Sequence, residues 1–316
     1  MGRIARISVA VIIVLSLVAG LTPGGKTSSP ADAAEASVEP KAVPLIDSPP
    51  ADKTPPELPP GTEGAVGVAQ EDGSSKLSVT TPDGKEYPAP SVVRELEAER
   101  QPDRRIYEMS DGNRKVTIYG QARWFKDSAG QWKDIDTSLS AIPENPTRLR
   151  SGANSFTAEF AETLATDAAA MTLKTQAGDV QFQPRGAASV SPTAQKIENQ
   201  TVPNTLVYPE IWPSTEARYF VLPTGVKEEL VVASAKAPTS FVYDVKGAVF
   251  APDGSTGGLI GEGSAGRLVI APPVVRDADG NDVTRASGAK LTPLDEGKAL
   301  EVSIDPNWLK NLKDNA

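Results

Sequence analysis

The chain has 316 residues, 32 basic against 41 acidic, a net charge of -9, and neither cysteine nor histidine. The missing cysteines exclude disulfides, thiolate metal sites and cysteine nucleophiles; the missing histidines exclude a Ser-His-Asp triad and remove the commonest metal ligand. Beyond Ala33 there are 29 basic and 40 acidic residues, a net charge of -11, which argues against nucleic acid as a partner and against docking on anionic lipid.

Arg3 and Arg6 precede a 15-residue apolar run, Ile7 to Leu21, which Pro23-Gly24-Gly25 ends. A basic stretch, an apolar run and a small-x-small sequence, here Ala31-Asp32-Ala33, are the parts of a secretory signal. The run is shorter than the roughly 20 residues that cross a bilayer. Residues 1–33 are therefore read as a signal peptide or N-terminal membrane anchor, and the chain as secreted or extracellular. Membrane contact is expected through this segment only, and the head is set aside from the fold.

Residues 34–75 are rich in proline, with Pro-Pro pairs at 49–50, 55–56 and 59–60, and carry no aromatic residue. A segment with so little to bury is expected to be an extended, disordered linker. Residues 76–105 follow as a small patterned region. Lys76 to Thr81 and Lys85 to Tyr87 flank Pro82-Asp83-Gly84 and predict a hairpin. Ser91 to Arg100 predicts one short helix with Val92, Val93 and Leu96 on one face, ended by Pro102.

From Ile106 on, short alternating segments and turn signals predict an all-β, sandwich-like fold of many short antiparallel strands. Val116, Ile118, Ala122 and Trp124 share a parity that should face the core. Asp127-Ser128-Ala129-Gly130 turns the chain into Gln131 to Ile135, and Asn154 to Phe160 alternates again. Ala217 to Leu222 and Val226 to Val232 flank Pro223-Thr224-Gly225 as the clearest hairpin. Two layers are expected, residues 106–200 and 201–316, with Asp305-Pro306 starting a short terminal helix.

Candidate sites are few. Gly261 to Gly266 matches G-x-G-x-x-G, but a strand and two prolines follow it instead of a helix, so it reads as a flexible loop. Asp277, Asp279 and Asp282 form the calcium candidate, set against ordinary Asp-Gly turn chemistry and the absence of the later bidentate glutamate. Trp124, Trp132 and Trp212 are the candidate sugar-stacking residues, weighed against burial in the core. Asp134 with Asp136, and Glu228 with Glu229, are the carboxylates a glycosidase would need. Neighbours along a strand point to opposite faces, so Glu228 and Glu229 do not pair. Asn199-Gln200-Thr201 is a glycosylation sequon. No catalytic residue, metal or cofactor is assigned.

The run Ala122 to Ser140, then NSFTAEFAE (154–162), Thr205 to Val232, and LEVSIDPNWL (300–309) resemble the N-terminal region of large secreted bacterial Rhs/YD-repeat proteins. That resemblance implies a surface protein with a DNRLRE domain, YD repeats and a C-terminal toxin further on. None of those parts is present, so the chain reads as a truncated member. The expected function is a non-enzymatic structural or interaction module at the cell surface, with the remainder of a larger surface protein or a cell-envelope component as partner and no nucleic acid. The alternative is a free-standing carbohydrate- or cell-wall-binding sandwich.

Overall fold

The computed structural model describes residues 7–15, 78–80, 86–88, 90–166, 168–197 and 200–311. The Pro-rich linker and the Asn199 sequon lie outside the described residues. The chain forms two compact units, one of residues 1–19, 100–104 and 117–316, the other of residues 20–99 and 105–116. The first described strand, β1 (Ile7–Leu15), belongs to the larger unit.

In the smaller unit β2 (Ser78–Thr80) pairs with β3 (Glu86–Pro88) as the turn sequence predicts. β4 (Val92–Glu95), β5 (Arg104–Met109) and β6 (Arg114–Ile118) form a three-stranded sheet. The helix expected over residues 91–100 is thus a strand followed by a single 3-10 turn, Glu97–Glu99. Pairing with β5 decides this: Val92 lies opposite Met109, and Arg94 Nε donates to Glu108 Oε2 at 2.6 Å. The β-branched pair Val92-Val93 suits that choice. Val116 and Ile118 are exposed whereas Trp124 is buried. The shared parity fails because the strand stops at Ile118, so the period of two does not carry across Gly120.

In the larger unit β7 (Trp124–Lys126) and β8 (Trp132–Asp134) form a hairpin. Asp127 Oδ1 closes it by accepting from the N–H groups of Ala129 and Gln131, each at 2.9 Å. β9 (Leu139–Ile142), β10 (Asn145–Ser151), β11 (Thr157–Ala161), β12 (Met171–Lys174) and β13 (Asp179–Pro184) then run as an antiparallel meander. A second meander holds β14 (Thr193–Ile197), β15 (Gln200–Trp212), β16 (Thr215–Leu222) and β17 (Gly225–Val232). β18 (Ser240–Lys246) returns to the first sheet. β19 (Ala248–Pro252), β20 (Leu259–Gly263), β21 (Gly266–Ile270) and β22 (Val274–Arg276) go to the second. After the short helix α1 (Thr284–Ser287), β23 (Lys290–Leu294) and β24 (Ala299–Ser303) complete the first, and α2 (Pro306–Lys310) follows.

The eight-stranded sheet runs β23-β24-β18-β13-β12-β11-β10-β9, and the nine-stranded sheet runs β14-β15-β16-β17-β1-β21-β20-β19 with β22 also paired to β1. The sheets interleave along the chain, so the layers do not divide at residue 200. The fold is an all-β sandwich. Its core draws Phe160, Leu173, Phe182 and Phe241 from one sheet and Tyr208, Tyr219, Leu230 and Ile270 from the other. Each such side chain contributes roughly 1.5–3 kcal/mol on burial. The Tyr208 hydroxyl ties the sheets together by donating to the carbonyl of Ala161 at 2.5 Å.

Two further differences have physical causes. The stretch Gly261 to Gly266 is a tight hairpin between β20 and β21, not a flexible loop. A Cβ at Gly261 would lie 2.4 Å from the Phe250 ring, and one at Gly263 2.0 Å from the carbonyl oxygen of Gly247. These glycines serve close packing. The apolar run set aside as a head supplies a central strand: β1 pairs with β17 from Ile7 opposite Val232 to Val14 opposite Gly225, and on its other side with β21 and β22. A short β-branched apolar run meets the demands of a central strand as well as those of an export signal.

Candidate functional site

The β7–β8 hairpin and the β11–β12 edge enclose an open groove of about 360 Å³, lined among others by Phe125, Lys126, Asp127, Asn154, Phe156 and Lys174. Phe156 is buried, and its neighbours Ser155 and Thr157 line the groove beside it. The Asn154 amide donates to the carbonyl of Pro223 at 3.0 Å, which fixes the groove wall to the β16–β17 turn. Lys126 Nζ lies 5.1 Å from the centre of the Trp132 ring, within cation–π range.

Lys174 also belongs to a charged ladder across β10, β11 and β12. Glu159 on β11 lies opposite Arg150 on β10 and Thr172 on β12. Arg150 donates to Glu159 Oε1 from Nε at 3.0 Å and from Nη2 at 2.9 Å, and Lys174 Nζ stands 2.9 Å from Oε2. Arg148 Nη2 donates to the Glu159 carbonyl and to Thr172 Oγ1, each at 3.1 Å. Burial pushes the Glu159 carboxyl up, but Lys174 and Arg150 outweigh it and hold the group below the usual carboxylate range. Three cations face one carboxylate. The Arg150 and Lys174 side chains remain 47% and 39% exposed, so both reach solvent beside the groove.

A second cluster is internal. Glu228 on β17 is buried between the sheets, where Tyr243 donates to its Oε1 at 2.8 Å and Tyr219 forms a further hydrogen bond. Burial pushes its carboxyl up to about 7 despite those two donors. It borders an internal cavity of about 20 Å³, also lined by Met171, Phe182, Ile270, Leu300 and Val302, room for about one water. The sequence carried a signal for this: Val226, Glu228, Leu230 and Val232 share the buried parity of β17.

The residues singled out from the sequence are dispersed. Trp124 is buried, edge-on to Tyr119 at 5.0 Å; Trp212 is buried, its Nε1 donating to the Arg185 carbonyl at 3.0 Å; Trp132 is half-buried under Lys126. They form no row. Asp277 Oδ1 accepts from the N–H groups of Asp279 and Asn281, at 3.0 and 2.9 Å, and Asp282 accepts from that of Thr284 at 2.9 Å. Among the described residues no group of three or more acidic side chains could hold a metal ion. Asp134 lies opposite Trp124, and Asp136 Oδ1 accepts from the N–H of Ser138 at 2.9 Å. Both are exposed.

Three relatives are proteins named as nucleases. The chain is 23% identical over 238 residues to the tRNA3(Ser)-specific nuclease WapA of Bacillus spizizenii, which covers 71% of this chain and 10% of the relative. It is 22% identical over 228 residues to the tRNA(Glu)-specific nuclease WapA of Bacillus subtilis subsp. natto, covering 69% and 10%. It is 25% identical over 131 residues to the tRNA nuclease WapA of Bacillus subtilis, covering 39% and 6%. The chain spans about a tenth or less of the length of these curated relatives. No family model and no solved structure matches it.

These names correct the functional expectations. The relatives are called WapA tRNA nucleases, not Rhs/YD-repeat or DNRLRE surface proteins, so the Rhs assignment is replaced. The reading as a non-enzymatic structural module, with a free-standing wall-binding sandwich as alternative, is overturned by relatives named for an enzymatic activity. The exclusion of nucleic acid falls with it, because the relatives are named for action on tRNA. Net charge sums over the whole chain and so does not exclude a local basic cluster. The extracellular placement read from the head stands. Among the described residues no helix is long and apolar enough to cross a membrane.

Proposed function

We propose that this chain is part of an extracellular tRNA nuclease and that the groove between β7–β8 and β11–β12 contacts the tRNA. The observation that carries the reading is the alignment of 71% of the chain with a protein named as a tRNA-specific nuclease. The groove supports it by its chemistry. Lys126 in the groove wall, with the excess positive charge of the ladder in which Arg148, Arg150 and Lys174 share Glu159, supplies a cationic surface for phosphate, and Phe125 supplies a half-buried ring beside it. The groove's contribution is to hold RNA. The carboxylate in its wall, Asp127, already accepts the hairpin N–H groups, so it is not free as a base. The head, residues 1–33, directs export as a signal peptide.

The test is binding of labelled tRNA to the full chain over a series of salt concentrations, with Lys126→Ala, Arg150→Ala and Lys174→Ala combined as the variant. Loss of three phosphate contacts should weaken binding and reduce the salt slope by about two. An unchanged affinity and slope would remove the groove from the tRNA contact.

A further inference from the structure

The β1 position is the least ordinary feature of the nine-stranded sheet. It is a central place, bounded by β17 on one side and by β21 and β22 on the other, and the segment that fills it is the apolar core of the export signal. A signal segment is engaged by the export machinery before the body folds outside the cell. A body that folds after the head has been withdrawn folds without residues 7–15. Its β17 would then present an eight-residue row of backbone N–H and C=O groups to nothing, and β21 and β22 the opposite rim. Unpaired, centrally placed backbone of this kind is costly, and it is a template for another strand.

The slot specifies its occupant. Along one parity of β1 the partners are Val232, Leu230, Glu228 and Val226 of β17, with Ile270 and Leu268 of β21. Val9 also faces Val275 across the other rim. Every one of those neighbours is buried. At the alternate positions the neighbours include Lys227, Glu229 and Arg276. The slot therefore asks for an extended segment of about eight residues, apolar at every second position and tolerant at the others.

We propose that the exported chain is a strand acceptor, taking into the slot between β17 and β21–β22 an apolar, alternating β-strand donated by another polypeptide. This rests on removal of the head at export. It does not depend on the tRNA contact, which lies on the other sheet.

The absence of native cysteine makes a clean test. Ala10 and Glu229 are opposite neighbours, and opposite residues of an antiparallel pair lie about 4.5–5.5 Å apart, within disulfide range. Ala10→Cys with Glu229→Cys in the full chain should therefore close a disulfide that locks β1 in place. A specific protease site inserted between Gly24 and Gly25 lets the head be cut free after folding, so no variant has to fold without it. The probe is a labelled peptide of sequence ISVAVIIVL with flanking lysines. The cut, unlocked chain should exchange its head for about one peptide per chain, as intact mass reads directly. The locked chain should take none, and neither chain should take a peptide with Asp in place of Val9, Val11 and Ile13. No uptake by the cut, unlocked chain overturns the proposal, as does equal uptake by the locked chain, equal uptake of the Asp peptide, or failure of the disulfide to form.

Discussion

Glu228 makes stability depend on pH in a direction opposite to that of most carboxylates. Its carboxyl is pushed up to about 7 by burial against an ordinary value of 4.5. The folded state therefore binds the proton more tightly than the unfolded state between those limits. Stability is fully present below pH 4.5 and falls as pH rises toward 7, because folding must then either retain a proton or bury a charge. A difference of that size corresponds to about 3 kcal/mol. Glu228→Gln keeps an oxygen to accept the Tyr243 hydroxyl at the position now 2.8 Å away and removes the titration. The two proteins should be similarly stable at pH 4.5, and the Gln variant should become the more stable by up to about 3 kcal/mol above pH 7. Urea unfolding followed by tryptophan fluorescence at four pH values measures the difference. Other groups, Glu159 among them, cancel in it because both proteins carry them. A difference that does not change with pH would refute the reasoning.

Gly263→Ala should destabilise the chain by about 2 kcal/mol or more, since its Cβ would meet the Gly247 carbonyl oxygen at 2.0 Å. Gly254→Ala, with nothing within 4 Å, should be near neutral in the same thermal melts. Asp305→Ala should lower stability by about 1 kcal/mol in urea unfolding, because Asp305 caps α2 by accepting from the N–H groups of Asn307 and Trp308.

Much of the fold was legible because half-buried strands write their burial into the sequence. In β16 the buried residues Thr215, Ala217, Tyr219 and Val221 alternate with less buried ones, and the closing pair Leu222–Gly225 leaves Pro223-Thr224 as the turn. Where local preference and pairing disagree, the sequence misleads. Residues 91–100 have a helical spacing of apolar residues, yet β5 recruits Val92 to Glu95 as a strand. Ile7 to Leu15 reads equally as export signal and as central strand, and its pairing with β17 could not be read from the run itself. The groove was not legible because Lys126 and Lys174 are far apart in the chain and lie on two separate sheets, which no strand pairing connects. The ladder around Glu159 is likewise a product of cross-strand register. The tryptophans were visible as large apolar residues, but which of them share a surface is decided by packing: Trp212 goes to Phe241 and Tyr243, Trp124 to Tyr119.

A role in a tRNA nuclease stands or falls on cleavage of tRNA. The native secreted product containing these residues, collected from culture medium, is incubated with total tRNA, and the RNA ends are mapped by sequencing. Defined cuts in one or a few tRNAs are expected, absent with medium from cells lacking the protein. Intact tRNA in both samples would contradict it.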